Sequence, residues 1–385
     1  MKVAYLSQSS FSDVDLSLLT ELQNKADVTY LLYLYPQELR RAAVNIGQPY
    51  KQNGVFPAEI YSELEPLSKA LDKTRFKVVT ANKNRFFSYA RLKASFKLFF
   101  HILKEKYDII HLTFAPPISM LWLYMFRKKL VLTVHDPIPH SSTTSRSLMW
   151  ERKWAMSNIG HFVLLNENQE EPFKKLYGLR IDQQVTISRL SSYNYLSLYN
   201  NESTVKGEYI LFFGRITSYK GLQILLPAME RVHLNYPNVK LVIAGSGKFS
   251  VDVSRYEVLD YIEIRNRFIP DNELAGLIKG SLFVVAPYID ATQSGVVMSA
   301  FAFNKPCLVT NVGGLPEMVG HGQYGMIAEP SDEDSLVNSI DKLLSDREML
   351  NEYSENINTD YRQGKYSWDH ISDEYVDVFN NVISH

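Results

Sequence analysis

The chain predicts an α/β fold organised as two domains. Three observations carry that expectation. Short apolar runs alternate with helical stretches through the first half, at Lys2–Leu6, Val28–Leu34, Phe76–Val79, Asp108–Leu112, Leu130–Val134 and Phe162–Leu165. Such alternation argues a doubly wound parallel sheet. A polar, aromatic and aperiodic segment, SRLSSYNYLSLYNNESTVKG at 188–207, then interrupts the pattern and marks the domain boundary. A second alternating series opens at Tyr209. The length of 385 residues is itself long for one core.

Composition narrows the class. Hydrophobic residues make up 45% and the formal net charge is −1, so nothing pulls the whole chain toward nucleic acid. The one cysteine, Cys307, excludes an intramolecular disulfide framework and fits a reducing compartment; it falls in an expected buried strand, where inert core is the better reading than nucleophile. MKVAYLSQSS begins a strand at once and lacks a signal-peptide shape, so a cytoplasmic location is expected. The densest apolar stretch, Ile118 to Phe126, is too short to span a bilayer. No metal-ligand spacing is present.

In the first half, the strand ends are where chemistry is expected. The first strand runs into Gln8-Ser9-Ser10, with no glycine fingerprint for a dinucleotide. The fourth ends in His111-Leu112-Thr113-Phe114. The fifth ends in Thr133-Val134-His135-Asp136-Pro137, the strongest polar constellation in this half. A histidine at a strand's carboxyl end can hydrogen-bond a substrate hydroxyl or stabilise a developing charge, or it can simply cap the loop.

Residues 73–106 hold ten Lys/Arg against one acid, Glu105. Phe96, Phe99 and Phe100 share a helical face with Leu92 and Leu103, while Arg91, Lys93, Lys97 and Lys104 lie largely elsewhere. Two readings stand: a helix that packs its aromatics on the sheet, or a basic amphipathic segment (85–106) that rests on an anionic membrane surface.

The second half starts with a buried strand, Tyr209–Phe213, running into Gly214-Arg215 and then Lys220-Gly221. Gly214 permits a sharp exit, and Arg215 and Lys220 bring two positive charges to one strand end, as a diphosphate would need. Leu222, Leu225, Leu226, Met229 and Val232 follow at helical spacing. The strand Val239–Ala244 ends in Gly245-Ser246-Gly247, another close-approach turn. Phe268-Ile269-Pro270-Asp271-Asn272-Glu273-Leu274 reads as a turn and N-cap opening a helix.

Residues 287–317, PYIDATQSGVVMSAFAFNKPCLVTNVGGLPE, are the most informative stretch. Leu282–Ala286 is a buried strand stopped by Pro287. Thr292, Gln293, Ser294 and Gly295 open a helix carrying Val296, Val297, Ala300 and Phe301. Lys305-Pro306 stops that helix, and Cys307–Thr310 forms a strand ending at Gly313-Gly314. This is strand, loop, helix, strand. A helix start with glycine favours an anion, although an ordinary N-cap would look the same. The second Gly-Gly turn, at the next strand's carboxyl end, favours a ligand site.

In this order, GR…KG, AGSG, FIPDxEL, PY…TQSG and KP…VGGLPE resemble the donor-binding domain of retaining nucleotide-sugar glycosyltransferases of family 4. The resemblance covers 207–345 strongly; in the first half it rests on the strand pattern and on TVHDP at 133–137. It implies GT-B architecture, two Rossmann-like domains facing across a cleft. Residues 1–195 would be the acceptor-side domain and 207–366 the donor-binding domain. Residues 367–385, with Trp368, Ile371, Tyr375, Val376 and Phe379, resemble the terminal helix that crosses back to the first domain.

Carried over, the resemblance implies that Arg215 and Lys220 pair with the donor diphosphate. Backbone amides around Ser294, Gly295 and Val296 would assist, with Gly214, Gly245 and Gln293 lining the site. Phe268 and Ile269, beside Arg267, would frame the base, and His135 would touch the transferred sugar. No metal and no cofactor is expected, because the two cations and the helix dipole would stabilise the leaving diphosphate. Front-face attack needs no protein nucleophile, and none is nominated.

One departure stands out. Family members usually carry two glutamates across this loop and helix; aligned on Lys305-Pro306, those positions hold Ala291 and Ser299. Asp290 is the nearest carboxylate to the first, and Ser299 replaces the second. The expected activity is metal-independent, retaining hexosyl transfer from a nucleotide diphosphate sugar to a glycan or lipid-linked glycan of a bacterial surface polysaccharide. A catalytically silent GT-B subunit and another GT-B activity, an epimerase or phosphorylase, are the alternatives.

Overall fold

A computed structural model describes residues 1–41, 43–83, 88–114, 122–135, 146–199, 201–291 and 293–384. Of the positions singled out above, Arg85, Phe86, Phe87, Asp136, Pro137 and Thr292 lie outside the described residues, as do 118–121 of the apolar stretch. The chain divides into two units, Met1–Leu190 with Trp368–His385, and Ser191–Ser367.

The first unit carries β1 (Lys2–Gln8), β2 (Asp27–Leu34), the two-residue pair β3 (Arg40–Arg41) and β4 (Val44–Asn45), β5 (Gly54–Pro57), β6 (Phe76–Thr80), β7 (Ile109–Leu112), β8 (Leu130–Val134), β9 (His161–Leu164) and β10 (Gln184–Ile187). Eight of them form one sheet in the order β10-β9-β8-β7-β1-β2-β6-β5. All pairings are parallel except that of the edge strand β5 with β6. Val3, Ala4, Leu6, Ile109, Ile110, Leu130 and Val131 are fully buried, the uninterrupted apolar character of strands covered on both faces.

The Trp368–Ser384 helix belongs to this unit and packs on the Ser12–Lys25 helix. Its buried stripe is Trp368, Ile371, Tyr375, Val378, Phe379 and Val382, one face of a helical period. Lys25 forms ion pairs with Asp369 at 2.8 Å and Asp373 at 2.7 Å, and the Tyr375 hydroxyl meets Thr133 Oγ1 at 2.9 Å.

The helix Tyr89–Glu105 bears on the first of the two readings given above. Its core face is Ala90, Ala94, Ser95, Leu98 and Ile102, and the aromatics do not pack on the sheet. Tyr89, Leu92, Phe96, Phe100 and Leu103 are exposed; Phe96 contacts Trp122, and half-buried Phe99 contacts Trp122 and Phe126.

The second unit carries β11 (Glu208–Phe213), β12 (Val239–Gly245), β13 (Ile262–Asn266), β14 (Val284–Ala286), β15 (Cys307–Thr310) and β16 (Gly325–Ala328), all parallel, in the order β13-β12-β11-β14-β15-β16. Numbered from β11 this is 3-2-1-4-5-6, the doubly wound order whose direction reverses between its first and fourth strands. Residues 191–206, read from sequence partly as the first domain and partly as a link, belong to this unit. The Tyr193 N–H bonds the Met298 carbonyl at 3.0 Å, and Ser203 Oγ meets the Tyr209 hydroxyl at 2.8 Å.

A buried carboxyl lies beneath the first sheet. The Tyr5 hydroxyl donates to Asp15 Oδ1 at 2.7 Å, Ser7 Oγ donates to Oδ2, and Thr113 Oγ1 donates to Ser7 Oγ at 2.9 Å. Burial pushes the Asp15 carboxyl up to about 8, more than the Ser7 and Tyr5 hydrogen bonds pull it down. In the unfolded chain the group would ionise near about 3.9. Between those values the unfolded state releases a proton that the folded state keeps, so stability falls as pH rises. Asp15→Asn should therefore flatten the decline of unfolding free energy between about pH 4 and 8, as read by urea unfolding at a series of pH values. An unchanged slope would show that the carboxyl ionises freely in the fold.

Candidate functional site

Where the strand order reverses, the carboxyl ends of β11 and β14 lie side by side, and the polar residues singled out in the second half converge there. The backbones touch. A Cβ on Gly221, whose φ is 75°, would lie 1.7 Å from the Pro287 carbonyl oxygen, and one on Gly245 would lie 1.8 Å from that of Gly214. No side chain fits either position. The Ile289 N–H donates to the Tyr219 carbonyl at 2.8 Å, fastening the loop after β14 to the loop after β11.

Arg215 is exposed and Lys220 half-buried on the first of these loops. Among the described residues neither makes an ion pair. Burial, and then the like charge of Arg215, lower Lys220 to about 8. Its ammonium lies 3.5 Å from the centroid of the Tyr288 ring and 5.2 Å from that of Tyr219. Tyr288 is fully buried, and its hydroxyl meets Ser294 Oγ at 3.4 Å.

Ser294 precedes the Gly295–Phe301 helix, and its side chain makes no cap bond. The Ser294 N–H points to Met318 Sδ at 3.2 Å. The first amides of a helix have no partners within it, so those of Gly295 and Val296 are available donors. Val296 adjoins Gly214: a Cβ there would meet a Val296 methyl at 3.3 Å. Gly295 faces the Tyr193 ring, which a Cβ would meet at 3.1 Å. Two cations and a helix start thus share one strand end. Asp290 and Gln293 are exposed on the same loop, Ala291 is intermediate, and Ser299 is buried one turn along the helix.

At the neighbouring end of β13, the Arg267 N–H donates to the Gly245 carbonyl at 2.9 Å. Arg267 is engaged with Glu273 at 2.7 Å, which Arg265 also holds at 2.7 Å, so this guanidinium is committed to structure. Phe268 is exposed and Ile269 half-buried beside it. Cys307 is buried in β15, and burial pushes its thiol up, away from nucleophile chemistry.

His135 belongs to the first unit. Its ring stacks on Phe11 with centroids 4.0 Å apart and planes 9° apart. Among the described residues Nε2 is buried without a hydrogen-bond partner, and burial lowers the group to about 3, so the imidazole is neutral near pH 7. His111 is a different case: it lies in the core with Nε2 on Thr133 Oγ1 at 2.8 Å. No three His, Cys, Asp or Glu among the described residues are grouped to hold a metal.

Sequence reasoning missed Tyr288, Tyr219 and Tyr193. The signal available was the aromatic after Pro287 and the Tyr beside Lys220, both of which read as ordinary turn residues.

Two family models match the chain, that for Glycosyl transferases group 1 over residues 200–360 and that for Glycosyltransferase Family 4 over residues 85–189. An uncharacterized glycosyltransferase of Methanocaldococcus jannaschii is 34% identical over 182 residues; that match spans 44% of this chain and 44% of the relative, less than half its length. The O-antigen chain mannosyltransferase C of Escherichia coli is 27% identical over 310 residues, covering 74% of this chain and 78% of that one. Among solved structures, HepE of Anabaena in complex with UDP superposes with a TM-score of 0.67 at 16% identity, covering 99% of this chain and 100% of that one.

The cation pair yields an expectation that depends on no name. A diphosphate should lose about 10- to 150-fold in affinity in Arg215→Ala or Lys220→Ala, since each removes hydrogen bonds to a charged group worth about 1.5–3 kcal/mol. Because Lys220 is depressed to about 8, affinity should also fall as pH rises through that value. Lys220→Arg should abolish that fall, and Arg215→Ala should move it to higher pH by removing the like charge. Calorimetry on UDP, GDP and ADP across pH reads all of this; full affinity in both alanine variants would place the phosphates elsewhere.

Proposed function

Because the chain belongs to the GT-B glycosyltransferases of the family 4 type, we propose that it transfers a hexose from a nucleotide diphosphate donor with retention and without a metal. The observation that carries this is the pair of cations, Arg215 and Lys220, without acid partners among the described residues, at the strand reversal of the second unit. The bond from the sugar to the diphosphate breaks as negative charge gathers on the leaving phosphate. Donors already aimed at that oxygen stabilise the charge where water is excluded. Arg215 offers a planar fork of N–H groups, Lys220 a compact charge, and the Gly295 and Val296 amides complete the set. A leaving phosphate oxygen takes the acceptor hydroxyl's proton, so the residues have to orient and stabilise rather than attack. His135, neutral and with Nε2 unengaged, is suited to a sugar hydroxyl. Exposed Phe268 and half-buried Ile269 offer an apolar edge for the base. The O-antigen relative supports a glycan of a bacterial surface polysaccharide as acceptor.

A catalytically silent GT-B subunit is the second reading, motivated by Ala291 and Ser299 at the positions usually held by glutamates. Donor-dependent release of free nucleoside diphosphate, with and without glycan acceptors, separates the two. Such release supports an enzyme; binding of diphosphate with none released across the donors tried supports the subunit.

If the chain is active, exposed Asp290 would read the donor's sugar hydroxyls, and Ser299, buried on the helix, would reach a ribose oxygen only through water. Asp290→Ala should cut kcat/KM at least about tenfold, as for losing a hydrogen bond to a charged group. Ser299→Ala should cost little. Melting temperatures taken alongside separate turnover from stability; normal turnover in Asp290→Ala with failure in Ser299→Ala would reverse the assignment.

The exposed stripe of the Tyr89–Glu105 helix supports a peripheral contact with anionic lipid on the inner face of a cytoplasmic membrane. Tyr89 is 78% exposed and Phe100 62%, and the adjacent turn adds Met125 at 67%. Exposed Lys93, Lys97, Lys104, Lys106, Arg127 and Lys128 surround them, while the acid of these two segments, Glu105, is paired to Lys2 at 2.7 Å. Among the described residues no helix is long and apolar enough to cross a membrane. Apolar side chains ringed by cations fit a surface contact. Binding to vesicles should rise with anionic lipid content, fall with salt, and drop in Phe96→Ser/Phe100→Ser. Equal recovery on neutral and anionic vesicles would reject the contact.

A further inference from the structure

Resting on the donor-site reading above, we propose that Tyr288 is a positioning residue whose ring face holds the Lys220 ammonium aimed at the diphosphate. The position of the ring is fixed from several sides. Its side chain is fully buried, its carbonyl accepts from Thr310 Oγ1, its hydroxyl meets Ser294 Oγ at 3.4 Å, and Tyr219 packs edge-on at 6.5 Å between centroids. Tyr288 therefore touches the loop after β11, the residue before the Gly295–Phe301 helix and the end of β15. The Lys220 ammonium sits 3.5 Å from its centroid, well inside the range of cation–π attraction.

The electrostatics call for such a partner. Lys220 is half-buried, and the charged group acting on it is Arg215, which repels it. Among the described residues no carboxylate pairs with it; Asp290, two residues beyond Tyr288 on the same loop, is exposed and makes no ion pair. A carboxylate in place of the ring would cancel the charge that the diphosphate needs. The π-face stabilises the cation through its quadrupole, keeps its charge, and leaves the N–H donors on the side away from the ring free to turn toward a ligand. This accounts for an aromatic ring at a buried position where an aliphatic side chain would leave the cation without a π-face.

The test has one arm without ligand and one with it. In protein grown with isotope-labelled lysine, the Lys220 side-chain signals, assigned by their loss in Lys220→Arg, should show an upfield ring-current shift. Tyr288→Phe should keep that shift and Tyr288→Leu should lose it. A Lys220 signal at the ordinary lysine position in the native protein would overturn the proposal, with no folded variant needed. In the second arm, calorimetry with UDP, GDP and ADP should give Tyr288→Phe within about twofold of native, and Tyr288→Leu weaker by about ten- to thirtyfold. In a Lys220→Met background the Tyr288→Leu loss should vanish. If it persists there, Tyr288 acts by packing and the positioning role fails. If Lys220→Met itself binds as well as native protein, the donor-site reading fails instead, while the ring-current arm still judges the contact.

Discussion

A Cβ at Gly221 would overlap the Pro287 carbonyl, and one at Gly245 would overlap that of Gly214. These two contacts set how closely the loops leaving β11, β12 and β14 approach one another. The doubly wound order brings the carboxyl ends of β11 and β14 together, because helices leave to opposite faces on either side of that reversal. Topology alone would leave a groove bounded by two loops. Backbone contact closes it, so that Arg215, Lys220 and the start of the Gly295–Phe301 helix can act on a single anion. Any larger residue at Gly221 or Gly245 would separate the loops and split the charges between them.

The price of that arrangement is electrostatic. Two cations sit near each other without an acid among the described residues, and the burial of Lys220 weakens its hold on a proton. The chain answers with an aromatic face rather than a carboxylate. Elsewhere it makes the opposite choice: Glu273 holds both Arg265 and Arg267, leaving those guanidinium groups neutralised and structural. The contrast separates function from scaffold better than exposure does, since Arg267 and Arg215 are both exposed. Arg267, which the family resemblance places beside the base, is spoken for; Phe268 and Ile269 next to it are not.

Much of this could be read from the sequence because it is written locally. Strand runs such as Tyr209–Phe213 and Cys307–Thr310 are apolar throughout, as strands covered on both faces must be, and the glycines and cations follow them directly. Besides the two-residue pair β3 and β4, the four strands that escaped did so for the complementary reason. Gly54–Pro57, Gln184–Ile187, Ile262–Asn266 and Gly325–Ala328 are the edges of the two large sheets, partly exposed, and lack a long apolar run to announce them. The partner of Lys220 was illegible because it is tertiary: Tyr288 lies far along the chain, after a different strand, and nothing in its neighbours indicates which way its ring faces. The same limit hid Tyr193, which arrives at Gly295 from a segment without periodicity.

The Tyr89–Glu105 helix shows why a periodicity argument could not choose between core and surface there. It carries two apolar stripes on roughly opposite faces. The first, Ala90, Ala94, Leu98 and Ile102, is narrow and small-sided; the second, Tyr89, Leu92, Phe96, Phe100 and Leu103, is broad and aromatic. Hydrophobicity favours burying the second, because aromatic rings offer the larger apolar area. Sterics favour the first, since alanines let the helix lie close against its neighbouring strand β5 whereas phenylalanines would hold it away. Close packing prevails, and the aromatic stripe is left outside, where cations flank it on the same helix. A surface so composed discriminates between partners by charge before it discriminates by apolar contact. On the peripheral contact proposed above, long-range attraction would draw it to an anionic plane, and the rings would then gain from leaving water.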